Sequence, residues 1–363
     1  MPKHPCLLDT TSPRLALADR SGELALIDRC GEARMPPMPP MPTVMETLCL
    51  GQTALRIADA KRRSLVLHDV ARSLLTETRL NACGSVARIV EIELYCCSDA
   101  APDPFAHCHP LQGETGRWYL HRVGAGYRGG SFKGIDITFG ADGGFGGVLI
   151  RGLEVCGGKT SQIVDGPSLC VDWLMRAAGV SSPRELDERV GLCRVDDPAA
   201  ALRLELVVGR DSSLGPHKGR LRWRPDRSTG PHKGRLRWRP DRSTEPTRIW
   251  STARVGLALR HGVETPTWWA ARQRFLTEPR RIRKGRPQLI IALHQDHVAA
   301  EEIALLTGTP LRVVNRYLSW HEAGRAAAQG DAVVDGTNDF DRADVQGASA
   351  TERLCRQLGA WSE

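Results

Sequence analysis

The segment Val86–Tyr95, VARIVEIELY, constrains the fold of this chain more than any other. Its apolar and polar residues fall on opposite parities: Val90, Ile92 and Leu94 against Glu91, Glu93 and Tyr95. Such alternation is typical of a β-strand, because successive side chains point to opposite faces of a sheet. The pattern therefore predicts a strand that carries two carboxylates and a phenol on one face. A solvated face is the competing interpretation of the two acids, and the pattern alone does not decide between them.

Further short strands are predicted over Gly116–Glu154. The runs RWYLHR, SFKGIDITFG and GGVLIRGLE are separated by the Gly-rich connectors VGAGYRGG and ADGGFGG. Glycine-rich connectors of this length favour tight turns between antiparallel strands.

Helices are predicted on both sides of these strands. The residues Met45–Arg79 have helical periodicity, and Asp165–Ala178 resembles a capped helix start with Pro167 in its first turn. Two further short helices are expected over Pro183–Gly191 and Pro198–Leu204.

The chain divides into three parts by composition. Residues 1–45 form a Pro-rich irregular tail that ends in PPMPPMP, a sequence that favours extended backbone over a packed core. Residues 46–290 are expected to form the main domain, and residues 291–363 a small helical C-terminal extension. The polar stretch from Gln329 to Glu363 is expected to end in a short helix.

A helix pair is predicted at Glu301–Leu318, EEIALLTGTPLRVVNRYL. The residues Ala304, Gly308, Val314 and Leu318 fall near helix-turn-helix spacing, with Thr-Gly-Thr-Pro as the turn. Short helical hairpins often match this pattern, so the sequence leaves open whether this pair reads DNA.

The positive charge of the chain is concentrated in one insert, residues 215–244. The net charge is +8, and a 15-residue segment, Gly215–Thr229, repeats identically at Gly230–Thr244. Each copy contributes +4, so the rest of the chain is formally neutral. The duplication is either an exposed, tolerated loop or an electrostatic arm that binds nucleic acid through Arg and stacks Trp on bases. The residues of such an arm would be Arg220, Arg222, Trp223, Arg224, Arg235, Arg237, Trp238 and Arg239.

The sequence predicts an intracellular protein, nuclear or cytoplasmic, that is not secreted and does not associate with a membrane. The longest apolar run, Leu289–Leu293, is far shorter than the roughly 20 residues that span a bilayer. The N-terminus has no apolar stretch typical of a secretory signal. Eleven cysteines, an odd count without a CxxC framework, fit reduced thiols.

Two other chemistries are weighed and set aside. The cysteines and histidines at positions 96, 97 and 107–109 suggest zinc, but their order, CC…HCH, lacks the usual ligand spacing. No G-x-S-x-G elbow is present that would predict a nucleophilic serine. No metal site is predicted.

Several segments, in order over roughly residues 78–290, resemble the methylpurine (alkyladenine) DNA glycosylases. Arg88–Tyr95, RIVEIELY, is similar to the RIVETEAY-type strand of that family. The other matching segments are Gly116–Gly140, Gly146–Glu154, Ile163–Leu174, Ala253–Val263, which resembles the family's PRIGI strand, and Trp268–Leu276.

The resemblance implies a single mixed α+β domain around a curved antiparallel sheet. It implies a base excision repair enzyme that hydrolyses the N-glycosidic bond of alkylated or deaminated purines in double-stranded DNA. The damaged base must first be flipped out of the stack. The family implies a monomer and no metal or organic cofactor, since the leaving base is already activated by alkylation or protonation.

The resemblance also assigns roles to individual residues. Glu93 matches the general base, Tyr95 an aromatic wall of the base pocket, His107 a pocket histidine and Arg151 the arginine beside the attacking water. Asp136 stands where the family has Asn. Because this Asp lies near a second carboxylate, it is expected either to aid acid catalysis or to repel phosphate.

The remaining pocket positions are assigned less directly. Tyr119 or His121 matches the aromatic on the second wall. Tyr127 or Arg128 is nearest to the family's wedge, the side chain that fills the gap left by the flipped base. Two alternatives remain open: a non-catalytic nucleic-acid-binding protein that uses the Arg/Trp insert, and an N-glycoside hydrolase that acts on small nucleosides.

Overall fold

The computed structural model describes residues 26–27, 33–34, 43–157, 160–207, 219–225, 234–240, 247–257, 266–330 and 348–361. The chain forms two compact units, residues 1–42 and Thr43–Glu363. In the first unit the strands β1 (Leu26–Ile27) and β2 (Ala33–Arg34) pair antiparallel. The rest of the predicted tail up to residue 42 lies outside the described residues.

The second unit contains the other strands and all described helices. Its strands are β3 (Thr78–Ala82), β4 (Ser85–Cys97), β5 (Thr115–Leu120), β6 (Arg122–Val123), β7 (Gly126–Tyr127), β8 (Ile135–Phe139), β9 (Phe145–Gly157), β10 (Thr160–Asp165), β11 (Leu202–Leu206), β12 (Gly219–Pro225), β13 (Gly234–Pro240), β14 (Trp250–Thr252) and β15 (Arg274–Leu276). Its helices are α1 (Val44–Ala54), α2 (Ala60–Thr76), α3 (Pro167–Ala178), α4 (Pro183–Val190), α5 (Pro266–Ala270), α6 (Arg286–Gln295), α7 (Ala300–Thr307), α8 (Leu311–Gly330) and α9 (Ala350–Ala360).

Within the described ranges, nine strands form one antiparallel sheet in the order β11-β3-β4-β9-β8-β5. Strand β10 also pairs with β9, and β15 pairs with both β4 and β14. The thirteen-residue strand β4 pairs with β3, β9 and β15 and is therefore the centre of the sheet. This arrangement confirms the predicted mixed α+β fold, with the sheet antiparallel as the Gly-rich turns indicated.

Two of the three apolar clusters in the described part of the chain include residues of the central strand β4. The larger one packs α1–α4 against the sheet, through residues such as Leu48, Leu74 and Val171 beside Ile92 and Ile150. The second cluster seats α6, α7 and α8 on β4 and β15: Val90, Leu276, Leu289, Ile303 and Val314 are among its buried members. The C-terminal helices thus share a core with the central strand.

A β-bulge interrupts the alternation of β4. The pairing of β4 with β9 shifts on both sides of Glu91, between Ile89 and Ile92. Ile89 and Ile92 lie three residues apart, yet both pack in the larger core, so the parity of the strand reverses inside the bulge. The prediction that Val90 shares a face with Ile92 is wrong for this reason, because Val90 packs in the second cluster.

Most predicted helices are confirmed, with two corrections. Helix α3 begins at Pro167, and α4 covers the next predicted helix. The helical region predicted up to Arg79 is two helices, and residues from Thr78 belong to β3. The helix predicted over Pro198–Leu204 is wrong, because the alternating LRLEL of β11 buries Leu202 and Leu204 and pairs with β3.

The predicted C-terminal helices are confirmed as α7, α8 and α9. The two copies of the basic repeat each contribute a strand, and β12 and β13 pair antiparallel in register, with Arg222 opposite Arg237. None of the helices in the described part of the chain combines the length and apolarity required to cross a bilayer.

An ion-pair cluster around Glu154 joins the sheet to the loop before α6. Arg88 Nη2 lies 2.6 Å from Glu154 Oε2, Ser161 Oγ donates to Glu154 Oε1 at 2.7 Å, and Arg281 pairs with the same carboxylate. Burial would raise the pKa of Glu154, but Arg88, Ser161 and Arg281 outweigh it and lower the pKa to about 2.

We therefore expect acid to weaken the fold through Glu154. Between pH 4.5 and about 2 the unfolded chain binds a proton at Glu154 that the folded chain does not, so the free energy of unfolding falls as the pH drops. Glu154→Gln should be less stable than the native chain at neutral pH, and the difference should shrink through this window in urea unfolding. Glu114→Gln, at an exposed carboxylate, should follow the native chain throughout. A difference between Glu154→Gln and the native chain that is constant with pH would contradict this account.

Candidate functional site

A cavity of about 450 Å³ opens where β4, β8 and β9 meet the loops that follow β4 and β14. Its volume is within the range of small-molecule sites. Its lining combines two carboxylates, two guanidinium groups and two imidazoles with apolar side chains and backbone: Glu93, Tyr95, Pro104, Phe105, Ala106, His107, Gln112, His121, Arg128, Asp136, Leu149, Arg151, Val255, Gly256 and Leu257.

Glu93 is held in this cavity by three contacts although its surface is fully buried. Oε1 accepts a hydrogen bond from the backbone N–H of Val255 at 2.7 Å and lies 3.3 Å from Arg151 Nε. Oε2 accepts the phenolic O–H of Tyr95 at 2.8 Å. Since a carboxylate oxygen accepts two hydrogen bonds, Oε2 keeps one acceptor position beyond the Tyr95 contact.

The second acid of the strand, Glu91, does not line the cavity but pairs with arginines beside it. It is fully buried, and its Oε1 accepts from Arg274 Nε at 2.6 Å and from Arg151 Nε at 3.2 Å. Arg151 therefore lies between the two acids of β4. The solvated-face interpretation of Glu91 and Glu93 is wrong, because buried arginines balance both carboxylates.

Burial and nearby charges determine the protonation states of Arg151 and Tyr95 beside Glu93. Burial would lower the pKa of Arg151, but Glu93 and Glu91 outweigh burial and raise it, so the guanidinium stays charged. Burial, followed by the charge of Glu93, raises the pKa of Tyr95 well above its ordinary value. The phenol is therefore neutral and acts as a donor to Glu93.

Arg254 packs against the ring of Tyr95. Its guanidinium carbon lies 4.5 Å from the centroid of the Tyr95 ring, a cation–π distance. Its two terminal nitrogens donate to Asp103 at 2.5 and 3.1 Å, and one also donates to the carbonyl of Trp268 at 2.9 Å. Through the two bonds to Asp103, Arg254 links the loop after β4 to the start of the loop after β14.

Asp136 is fixed by donors on both oxygens. Gln112 Nε2 donates to Oδ2 at 2.8 Å, and His121 Nε2 lies 2.7 Å from Oδ1. Gln112 Oε1 accepts the backbone N–H of His109 at 3.2 Å, which orients the Gln112 amide so that its NH₂ faces Asp136. The contact with Gln112 thus requires an acceptor oxygen at the Oδ2 position, and the carboxylate of Asp136 also accepts from His121 when His121 Nε2 carries the proton. A Cβ on Gly147 would come within 2.8 Å of Asp136 Oδ2, so this packing requires glycine.

The imidazoles form the other side of the cavity. His107 and His121 have ring centroids 4.3 Å apart, and Tyr119 Oη lies 3.3 Å from His107 Nδ1. Burial of the ring in the cavity lowers the pKa of His107, and His121 lowers it further, although the exposed edge of His107 lets solvent moderate the effect. His109 stacks on Tyr119 with centroids 4.7 Å apart.

The structure brings most of the predicted catalytic and substrate-binding residues together. Those that line the cavity are Glu93, Tyr95, His107, His121, Asp136 and Arg151. Tyr119 is buried directly behind His107 and His121. Tyr127 lies elsewhere, because its Oη donates to Asp187 at 2.5 Å and its ring faces Arg122. Of the two wedge candidates, Arg128 is the one that lines the cavity.

The predicted nucleic-acid-binding residues of the insert lie on β12 and β13, and their side chains are outside the described structure. The four from the first copy are on β12, and the four from the second are on β13. The resemblance implies a strand over Ala253–Val263. In the structure β14 ends at Thr252 and Ala253–Leu257 is not in a strand, and residues 258–263 are outside the described residues.

Sequence reasoning missed Gln112, Arg254 and Arg274. Both arginines lie within segments that carried the resemblance, but their burial depends on acids more than 100 positions away, so spacing along the chain holds no signal for them. Gln112 lies on a 3₁₀ turn, Pro110–Gly113, which no periodicity predicts.

Metal-ligating atoms of three described residues approach one another away from the cavity. His294, His321 and Glu322 have candidate ligand atoms within 4.8 Å of one another. Arg325 already pairs with Glu322 Oε2 at 2.6 Å, which opposes a cation there. Burial raises the pKa of Cys96 to about 12, so this member of the Cys–His segment is a protonated thiol rather than a ready ligand.

No family model matches the chain. An uncharacterized protein of Acanthamoeba polyphaga mimivirus is 36% identical to it over 122 residues. The match covers 30% of this chain and 56% of the viral protein, so the chain spans about half the length of that relative. This relative is uncharacterized, so the residues of the cavity are the basis for a proposed function.

The Glu91–Arg274 pair provides a test of what holds the site in place. Arg274→Met should reduce the free energy of unfolding by about 3–5 kcal/mol, because a buried carboxylate is left without its closest partner. Urea unfolding measures this reduction. Arg272→Met, which breaks a partly exposed pair with Asp296, should cost at most about 1 kcal/mol. Equal reductions in the two variants would show that Arg274 is not the anchor.

Proposed function

We propose that this protein is a DNA N-glycosylase that removes damaged purines from double-stranded DNA. The observation that carries the proposal is a buried carboxylate, Glu93, which is oriented by two hydrogen-bond donors and an ion pair with Arg151 and faces a base-sized cavity. The resemblance of β4 and its neighbours to the methylpurine-DNA glycosylases supports the same interpretation, since the matched residues Tyr95, Asp136 and Arg151 line that cavity.

Glu93 would act as the general base. In the proposed reaction a water oxygen bonds to C1′ of the sugar while the bond from C1′ to the purine nitrogen breaks. The free acceptor position on Glu93 Oε2 takes the proton of the water, and the base leaves with the bonding electrons. A purine methylated at N3 carries a positive charge in the nucleotide, so it leaves as a neutral base without an added proton. A neutral lesion such as hypoxanthine leaves as a neutral base once a ring nitrogen has taken a proton from solvent.

The rest of the lining would recognise the flipped base. Arg151 supplies the positive charge that balances Glu93 in the cavity. Tyr95 presents an aromatic ring, and the neutral His107 presents hydrogen-bonding groups near the cavity mouth. Asp136 is engaged by Gln112 and His121, so we propose a positioning role for it: it holds His121 toward the base.

Glu93→Gln tests this assignment directly. The substitution keeps the shape of the side chain but removes its basicity, so single-turnover release of base should fall by about 10²–10⁴-fold. The assay uses duplex oligonucleotides with 1,N6-ethenoadenine, hypoxanthine or 3-methyladenine, with enzyme in excess. Glu205→Gln, the same exchange on β11, should release base at the native rate. No release of any of these bases by the native chain would overturn the proposal for those lesions.

A second function, nucleic-acid binding by the insert, is favoured by the register of β12 and β13. The two identical copies pair as one antiparallel ribbon, which brings six arginines and two tryptophans onto two adjacent strands. Such a composition suits phosphate contact and base stacking.

Deletion of residues 215–244 separates the two functions. If the insert neutralises most of the phosphates, the deletion should weaken duplex binding and flatten its dependence on salt by about 0.9 for each phosphate that the insert neutralises. Fluorescence anisotropy over a salt series measures both effects. Base release in single turnover should persist at saturating enzyme. An unchanged salt slope would rule out the insert as the DNA-binding arm.

A further inference from the structure

Helices α7 and α8 form a compact helix-turn-helix. A three-residue turn, Gly308 to Pro310, joins them, and Gly308 has a left-handed backbone with φ of +67°. The turn is fastened to the preceding segment, because Arg286 Nη1 donates to the carbonyl of Thr307 at 2.6 Å. A turn of this length that contains glycine is the form that places a second helix across the first.

A third helix completes the core under this pair. Leu289 and Leu293 of α6, Ile303 of α7 and Val314 of α8 are buried in one apolar cluster that also includes Val90 of β4. The helix pair is therefore fixed to the same body as the cavity.

The opposite face of α8 is exposed along its first two turns. Leu311, Arg312, Asn315, Arg316 and Ser319 are all exposed and recur at helical spacing, whereas Val314 between them is fully buried. None of the side-chain hydrogen bonds and ion pairs found among the described residues engages Arg312, Asn315 or Arg316. Arginine hydrogen-bonds to guanine and asparagine to adenine in the major groove of DNA, and arginine also binds phosphate.

The surface beside this face is basic. Arg280, Arg283 and Lys284 are exposed in the loop that precedes α6, and Arg280 Nη1 donates to the carbonyl of Leu305 at the end of α7. The acids of α7, Glu301 and Glu302, lie in its first turn, about 8 Å along the helix from the turn that leads into α8. Positive charge is therefore gathered at the end of the pair from which α8 begins.

We propose that α7 and α8 bind duplex DNA, with the start of α8 in the major groove. Arg312, Asn315 and Arg316 contact base edges, while the basic loop from Arg280 to Lys284 contacts phosphates. This geometry gives the chain a sequence preference on undamaged DNA, separate from the chemistry of the cavity. The occupant is DNA rather than an acidic protein, because amide and guanidinium groups alternate on one helical face.

The test is selection of sequences from a randomised pool of undamaged duplexes by the full chain, followed by anisotropy on the enriched sequence. The native chain should enrich a defined short sequence. The double variant Arg312→Ala, Arg316→Ala should lose that enrichment, because it removes two of the side chains that contact base edges. Asn315→Ala, which removes no charge, should weaken discrimination at one base pair by roughly tenfold.

Two controls separate this proposal from the proposed glycosylase. The double variant Lys61→Ala, Arg62→Ala removes the same charge from exposed positions of α2 and should keep the enrichment. Glu93→Gln should also keep it, because undamaged DNA does not need the cavity. Enrichment of the same sequence by the Arg312→Ala, Arg316→Ala variant, or no enrichment by the native chain, would overturn the proposal, whatever the outcome of base release.

Discussion

A row of buried charges in the middle of the sheet determines how the rest of this molecule is arranged. Glu91, Glu93 and Arg274 have no exposed surface, and Arg151 is almost completely buried. A buried charge is tolerated only when opposite charge and hydrogen bonds compensate its missing hydration. Strands β4, β9 and β15 must therefore meet in the register that brings these four groups together. The bulge in β4 is centred on one of these groups, because the pairing with β9 shifts on both sides of Glu91, whose carboxylate accepts from both arginines.

The same charges connect the sheet to the C-terminal helices. Arg274 donates to Glu91 and also to the carbonyls of Lys284 and Gly285, directly before α6. Gly285 has φ of +70°, and a Cβ there would lie 2.7 Å from Arg274 Nη1, so only glycine lets the guanidinium reach the backbone. The site behind Glu93 and the start of the C-terminal helices thus share one side chain, Arg274.

The sequence predicts what depends on local pattern and misses what depends on distant partners. The alternation around Glu93 is sufficient to identify a strand and to place Glu93 and Tyr95 on one face, and Pro167 marks the start of α3. It does not reveal the bulge, because Val90 follows the apolar parity and only its packing on α6 and β15 shows the reversal. The helix predicted through Leu204 is wrong because pairing with β3, 120 positions away, determines the conformation of β11.

The distribution of charge links the two proposed modes of DNA contact. Outside the repeated insert the chain is formally neutral, so attraction to phosphates requires that its positive side chains be segregated on the surface. Glu91, Glu93 and Glu154 are buried against arginines, so these acids and their partners cancel one another inside the protein and leave the net charge of the surface unchanged. Exposed cations such as Arg312 and Arg316 are left without nearby compensation on α8. Attraction of DNA to this part of the surface therefore depends on where the exposed charges lie, with Arg312 and Arg316 at the start of α8 and Glu301 and Glu302 in the first turn of α7.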